Sequence, residues 1–214
     1  MEALTSAESL GVEGANGTLN SADRQAIAQE IQGIQQQVMQ LANTSYNGQY
    51  LFAGTATTTQ PYVADPTSAS GVTYNGNNNI NSVEISEGQA MPINLPGSQL
   101  FSNTGNDVFQ ALQDLYNALQ NNGDVSSATT EVQNALNYVT TQRTFYGSSL
   151  SRLNTAQTFL NSEQLQLSTS EGDLVDVDIA KAVTDLAQTE TTQTALLSAG
   201  AKISQLNLFD YLPQ

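Results

Sequence analysis

The sequence predicts a mainly α-helical α+β protein: an elongated, coiled-coil-like helical bundle that carries a small inserted antiparallel β-rich domain. Three observations lead to this fold class. An apolar residue recurs at nearly every seventh position from Val132 to Leu174. A second apolar stripe with helical spacing runs from Ile27 to Leu41. Between them, from Gln49 to Ser102, short runs of strand-forming residues alternate with turn residues, which is typical of antiparallel hairpins.

The seven-residue repeat predicts a long helix that pairs along its length. A helix whose apolar residues recur about every 3.5 residues keeps one seam facing a partner. At about 1.5 Å of rise per residue, the stretch from Val125 to Leu174 makes a rod of roughly 70 Å. The predicted assembly seam of this rod consists of Val132, Leu136, Val139, Arg143, Tyr146, Leu150, Leu153, Leu160, Leu167 and Leu174. Polar companions at Gln157, Gln164 and Glu171 weaken the seam, and they either fix its register or mark where other chains dock.

The first segment, Met1 to Val12, has a helical apolar pattern that starts without a capping residue. We interpret this start as the place where upstream residues are missing. Asn20 is predicted to cap a second helix, with Asp23 at its positive end. This helix is the predicted partner of the long rod, and Asn47-Gly48 is predicted to end it.

The inserted segment is predicted to contain five short strands, with Asn75-Gly76 as a hairpin turn. The predicted strands are Gln49–Ala53, Tyr62–Ala64, Val72–Tyr74, Ser82–Ser86 and Met91–Leu95. Asn106 or Asp107 caps the helix that follows, the long rod ends at Glu171-Gly172-Asp173, and a last helix runs from about Asp176 to Leu206. These boundaries divide the chain into a helical rod domain of residues 1–48 and 104–172, an inserted β-rich domain of residues 49–103, and a C-terminal helix in residues 173–214 whose partner helix is missing.

Composition argues against most chemistry. The formal net charge is −15, which disfavours binding to nucleic acid or to an anionic membrane surface. The chain has no histidine and no cysteine, which removes imidazole bases, thiolate nucleophiles and Cys/His zinc sites. We expect no cofactor, no metal and no catalytic residue. The acidic residues Asp173, Asp176 and Asp178 are interpreted as the amino end of the last helix rather than as a calcium loop.

Arg143 is a charge on the predicted seam, where it is costly unless it is paired. We favour an intramolecular salt bridge from Arg143 to Glu30 or Asp23. The alternative is a contact between subunits, and the position on the seam motivates either interpretation.

Four stretches carry a resemblance to a known family. They are Asn16-Gly17-Thr18-Leu19 with Arg24 and Glu30, Tyr50-Leu51-Phe52-Ala53-Gly54, Arg143 and Gly147 with Arg152-Leu153, and the tail from Ser204 to Leu212. Together they resemble the bacterial flagellin-like proteins. Within that family, the ending Leu208-Phe209-Asp210-Tyr211-Leu212 favours the proteins that join the hook to the filament over the flagellins of the filament itself.

The resemblance implies a structural protein of the extracellular flagellum that forms a self-associated ring between the first hook-associated protein and flagellin. It implies export through the flagellar type III pathway without a cleaved signal peptide. It also implies a cytoplasmic export chaperone that grips the C-terminal region. The residues that match the subunit or chaperone contact are Leu196, Leu197, Ile203, Leu206, Leu208 and Phe209.

One departure accompanies the resemblance. Family members carry a helical segment before the Asn-Gly-Thr turn that is several tens of residues longer, and it pairs with the C-terminal helix. We interpret its absence as truncation, which also explains the last helix without a partner. Two other functions remain as alternatives: a flagellin that forms the filament itself, and an enzyme acting on polysaccharide or peptide through the segment 55–101, for which no catalytic constellation is visible.

Overall fold

The computed structural model describes residues 1–86 and 88–205. The chain divides into two units, Met1–Ala156 and Gln157–Gln214, which are described separately. Within the described residues, helices predominate and the strands form small antiparallel ladders, so the predicted mainly α-helical α+β class is confirmed. The helices are α1 (Glu2–Gly14), α2 (Ser21–Ala42), α3 (Gly97–Leu100), α4 (Val108–Gln120) and α5 (Val125–Gln205).

Two of the helix starts are fixed by local side chains, as the sequence predicted. The Asn20 side chain accepts a hydrogen bond from the Asp23 amide at 2.9 Å, and the Asp23 carboxylate accepts one from the Asn20 amide at 3.4 Å. This reciprocal pair is a capping box, and it begins α2. At α4 the cap is Asp107, whose Oδ1 accepts hydrogen bonds from the Phe109 and Gln110 amides, each at 2.9 Å.

The strands pair only with their neighbours in sequence among the described residues, which makes four separate two-stranded antiparallel ladders rather than one sheet. The ladders are β1 (Ser45–Tyr46) with β2 (Gln49–Tyr50), β3 (Tyr62–Ala64) with β4 (Val72–Tyr74), β5 (Ser82–Ser86) with β6 (Gln89–Pro92), and β7 (Ser102–Asn103) with β8 (Asn106–Asp107). Two-stranded ladders are marginal by themselves, so these hairpins depend on packing against the helices.

Two Asn-Gly turns differ from the sequence interpretation. Helix α2 ends at Ala42, and Asn47-Gly48 instead forms the tip of the β1–β2 hairpin, with φ of 50° and 76°. Two positive φ angles are what a two-residue type I′ hairpin requires. Asn75-Gly76 follows β4 and is not a hairpin tip. Glycine is needed there because a Cβ at Gly76 would clash with the Tyr74 ring and the Ala53 carbonyl.

The core of the first unit lies between α1, α2, α4 and the start of α5. Helix α2 packs closely on α4 and α1, and its Ile27 and Ile31 belong to the same buried core as Val132 of α5. Leu112 and Leu115 of α4 are fully buried, and burial of such side chains contributes about 1.5–3 kcal/mol each before entropy is subtracted. Helix α4 is therefore a partner of α2 that the sequence did not indicate.

An aromatic cluster fastens the inserted hairpins to the helices. The ring of Tyr62 is fully buried and lies 4.8 Å from Phe109, 5.1 Å from Tyr74 and 6.0 Å from Phe101, measured between ring centroids. Phe52 meets Phe101 edge-on at 5.1 Å between ring centroids. Burial raises the pKa of the Tyr62 hydroxyl, which lies 3.1 Å from the Ser102 hydroxyl.

The predicted end of the long helix at Glu171-Gly172-Asp173 is wrong, because α5 continues through these residues to Gln205. A helical glycine costs about 1 kcal/mol relative to alanine, which is too little to end a helix without a proline or a cap. The predicted separate helix from Asp176 is therefore part of α5. Asp173, Asp176 and Asp178 consequently lie inside a helix, so their interpretation as helix-capping residues is also wrong.

Candidate assembly surfaces

The predicted seam on α5 begins inside the core of the first unit. Val132 is fully buried, and Leu136 and Val139 are partly buried against the same core. Helix α1 covers this part of α5, and the Gln133 side-chain amide donates a hydrogen bond to the Glu8 carboxylate at 3.0 Å. The first turns of the seam are therefore satisfied within the chain.

The buried face of α5 is also shifted from the predicted seam. Its fully or nearly fully buried apolar residues are Val125, Ala128, Val132 and Ala135. Their spacing of three and four residues was visible in the sequence, but the repeat that starts at Val132 obscured it. Helix α1 approaches this face of α5 closely, because its Gly11 has no side chain and packs directly against Thr129.

The middle of the seam is partly open. Arg143 is exposed, Tyr146 and Leu153 are half-buried, and Leu150 is 60% exposed. The predicted salt bridge from Arg143 to Glu30 or Asp23 is wrong, since Arg143 forms no ion pair with any residue that the structure describes. Its proposed acidic partners, Glu30 and Asp23, both lie on α2.

Two tyrosines hold this part of α5 against the inserted segment. The Tyr138 hydroxyl donates to the Gln99 carbonyl at 2.7 Å. Tyr146 lies beside the Leu95 backbone and packs edge-on against Phe145 at 5.4 Å. Burial raises the pKa of the Tyr146 hydroxyl. These contacts cover one face of α5 and leave Leu150 uncovered.

In the second unit, every side chain whose burial the structure describes is exposed. The predicted seam residues Leu160, Leu167 and Leu174 are 50%, 64% and 70% exposed. Other large apolar side chains are equally uncovered: Phe159, Leu165, Val175, Ile179, Val183 and Leu186. An exposed apolar surface of this extent on one helix is a feature of interaction sites.

The predicted C-terminal contact residues fall into two groups. Leu196 and Leu197 are each 68% exposed, and Ile203 is 70% exposed. Leu206, Leu208 and Phe209 lie outside the described residues. The first group therefore continues the uncovered apolar surface of the second unit.

A groove that the sequence did not indicate lies between α2, α4 and the loop joining β3 to β4. Its volume is about 530 Å³, and amide side chains dominate its polar lining. The Gln35 side-chain amide donates to the Ser70 carbonyl at 3.0 Å and to the Gln113 side chain at 3.3 Å. These bonds tie the loop to both helices, and we assign the groove a structural role.

Within residues 1–86 and 88–205, no cluster of three acidic, histidine or cysteine side chains is placed to hold a metal ion. Over the same residues, none of the helices combines the length and the hydropathy that a bilayer span requires.

The comparisons with known proteins agree with this architecture. Residues 1–57 match the bacterial flagellin N-terminal helical region, and residues 129–212 match the bacterial flagellin C-terminal helical region. The chain is 27% identical to flagellar hook-associated protein 3 of Salmonella typhimurium strain LT2, over 97% of this chain and 72% of that protein. It is 28% identical to flagellar hook-associated protein 3 of Escherichia coli strain K12, with the same coverage.

A solved structure extends the similarity to the fold. The crystal structure of Bacillus cereus FlgL is 27% identical, with a TM-score of 0.63, over 78% of this chain and 79% of that one. The chain therefore belongs to the bacterial flagellin-like family, and over nearly its whole length it is similar to that family's hook-associated protein 3.

Proposed function

We propose that this chain is a structural component of the bacterial flagellum that forms the junction ring between hook and filament, through packing of its helices against neighbouring subunits. The observation that carries the proposal is a contrast along a single helix. Helix α5 buries Val132 in its own core but leaves Leu160, Leu167 and Leu174 largely exposed. The similarity to hook-associated protein 3 supports the junction as the place where these residues are covered.

Physical chemistry favours a helical partner for the exposed residues. A lone helix in water is marginally stable, and its stability usually comes from packing an apolar face. Full burial of a leucine contributes about 1.5–3 kcal/mol, so a stripe of half-exposed leucines offers a large driving force for association. Only part of that energy becomes affinity, because association also costs translational and side-chain freedom. The net charge of −15 opposes association of identical chains by mutual repulsion, and salt screens this repulsion.

We further propose that the middle of the seam contacts a neighbouring subunit through Arg143, Leu150 and Leu153. Arg143 has no internal acidic partner in the described chain. Leu150, seven residues further along α5, is largely exposed. A guanidinium next to an apolar side chain suits an interface, where it can pair with a carboxylate of the next copy. With a net charge of −15, each copy has many carboxylates to offer.

The wider partnership follows from the family. We propose contacts with the first hook-associated protein on the hook side, with flagellin on the filament side, and with further copies of this chain in the ring. We also propose that 1–48 and 104–172 act as the rod domain, 49–103 as the inserted domain and 173–214 as the filament-core helix. An export chaperone would bind the exposed C-terminal residues before secretion through the flagellar type III pathway.

The alternative, a flagellin subunit of the filament itself, keeps some support because both matching family models describe flagellin regions. The two functions differ in self-assembly. We expect the purified chain to form no long fibres alone, and immunogold labelling to mark a single band between hook and filament. Labelling along the whole filament, or long fibres from the purified chain, would establish the flagellin alternative instead.

A further inference from the structure

The chain contains four Asn-Gly sequences, at positions 16, 47, 75 and 122. Asn-Gly is the dipeptide at which asparagine most readily loses its side-chain nitrogen as ammonia, because glycine, with no side chain, leaves the attacking main-chain nitrogen unhindered. The fold places the four sequences in different surroundings, and it therefore ranks them.

Three of the four are held in ways that oppose the reaction. The Asn16 side chain already accepts hydrogen bonds from the Thr18 amide at 3.1 Å and from the Thr18 hydroxyl at 2.9 Å. The Gly123 amide, which would attack Asn122, donates to the Ala118 carbonyl at 2.8 Å. At the third sequence, Gly76 is enclosed by the Tyr74 ring and the Ala53 carbonyl.

Asn47-Gly48 has neither the side-chain hydrogen bonds of Asn16 nor the enclosure of Gly76. Both residues are exposed at the tip of the β1–β2 hairpin, and no atom lies within 4 Å of the place a Gly48 Cβ would occupy. Within the described residues, no hydrogen bond engages the Asn47 side chain. The ladder that holds the tip has only two residues in each strand, so it opens easily.

We propose that Asn47 is the site at which this protein undergoes spontaneous deamidation. The Gly48 main-chain nitrogen attacks Asn47 Cγ, a new C–N bond closes a five-membered succinimide ring, and the side-chain nitrogen leaves as ammonia. Water then adds across one ring carbonyl and opens the ring, which yields aspartate or isoaspartate. The overall change consumes one water and releases one ammonia, with no oxidant or enzyme.

The product alters the hairpin in a predictable way. Aspartate adds one negative charge beside Tyr46, which is 71% exposed. Isoaspartate inserts a methylene into the main chain, and this removes the match between a two-residue loop and the Tyr46–Gln49 pairing. The strand after the tip is then held by the main-chain hydrogen bonds outside the loop, for example the bond from the Leu51 amide to the Thr44 carbonyl at 3.1 Å.

The test is incubation of the folded chain in mildly alkaline buffer, followed by digestion after aromatic residues and mass spectrometry. Such a digest separates the four sites, because Asn47 falls in the peptide 47–50, and the other three fall in 1–46, 75–101 and 117–138. We expect the mass gain of deamidation to accumulate several-fold faster in 47–50 than in the others. Asn47→Gln should abolish it there, whereas Asn75→Gln should leave it unchanged.

A chain unfolded in urea serves as the control, because all four sites should then react at comparable rates. If the folded chain reacts first at Asn16, Asn75 or Asn122, the ranking is wrong. If 47–50 stays unmodified in the folded chain while it reacts in urea, the hairpin protects Asn47 and the proposal is overturned.

Discussion

Replacement of Leu167 by alanine, compared with the same change at Leu115, separates residues that hold the chain together from residues reserved for other subunits. Leu115 is fully buried in α4, whereas Leu167 on α5 is 64% exposed. Leu115→Ala should lower the free energy of unfolding by about 2–5 kcal/mol, the sum of lost transfer energy and a cavity. Leu167→Ala should stay within about 0.5 kcal/mol of the parent, because it leaves no cavity and alanine favours helix.

The assay is thermal unfolding followed by circular dichroism, together with motility in cells that lack their own junction protein. For a domain of this size, 1 kcal/mol shifts Tm by about 2–4 °C, so Leu115→Ala should lower Tm by roughly 4–20 °C. Leu167→Ala should leave Tm nearly unchanged and still impair filament attachment. A large loss of Tm for Leu167→Ala would refute the reasoning, since Leu167 would then be covered within the isolated chain.

Three further substitutions test individual contacts. Arg143→Leu should leave the free energy of unfolding within about 0.5 kcal/mol of the parent and weaken junction assembly; a marked loss of stability would instead reveal an internal partner. Hydrogen bonds from Thr67 and Thr73 lower the pKa of Asp65 from 3.8 to about 2, so its contribution to stability is present above pH 3.8 and is lost as pH falls through 2. Acid titrations of Asp65→Asn and the parent should therefore differ in stability at neutral pH and converge near pH 2; a constant difference would contradict the assignment. Asp107→Ala should cost about 0.5–2 kcal/mol in denaturant unfolding, and Asp107→Asn much less, because asparagine also caps a helix; equal losses would show that the cap bond is not the cause.

Features that depend on neighbouring residues in sequence were predicted well. Asn20 and Asp107 cap helices because a side chain and an amide two or three residues away suffice for the bond. Three of the five expected strand segments, Tyr62–Ala64, Val72–Tyr74 and Ser82–Ser86, match the observed strands, whereas Gln49–Ala53 contributes only Gln49 and Tyr50, and Met91–Leu95 only Met91 and Pro92. The side-chain alternation and turn residues of each hairpin are likewise local signals.

Features that depend on the choice of a distant partner were predicted poorly. The apolar stripe of α2 does not specify a partner as a pattern, and the contact of α2 with α4 becomes evident only in the three-dimensional packing. The expected salt bridge of Arg143 likewise required one particular distant residue, which a position in a heptad does not select. Gly172 was misread because a single glycine lowers helix stability without ending a helix.

The candidate surface was predicted in part. The seven-residue repeat selected one line of apolar side chains on α5, but it could not distinguish those that are buried from those that are exposed. Val132 and Leu167 occupy equivalent positions in the repeat, yet one is fully buried and the other is 64% exposed. That difference reflects which turns of α5 pack against α1, whose contacts run from Gly11 at Thr129 to Met1 at Thr140.

The most direct test of the account is to delete the gene that encodes this chain in its own bacterium and to examine the cell surface by electron microscopy. If the chain is the junction protein, the deletion strain should have hooks that carry no filament and should release flagellin into the medium. Filaments should recover when the parent gene is restored, but not when a gene encoding Leu167→Ala is restored. Filaments attached to hooks in normal number in the deletion strain would contradict the account.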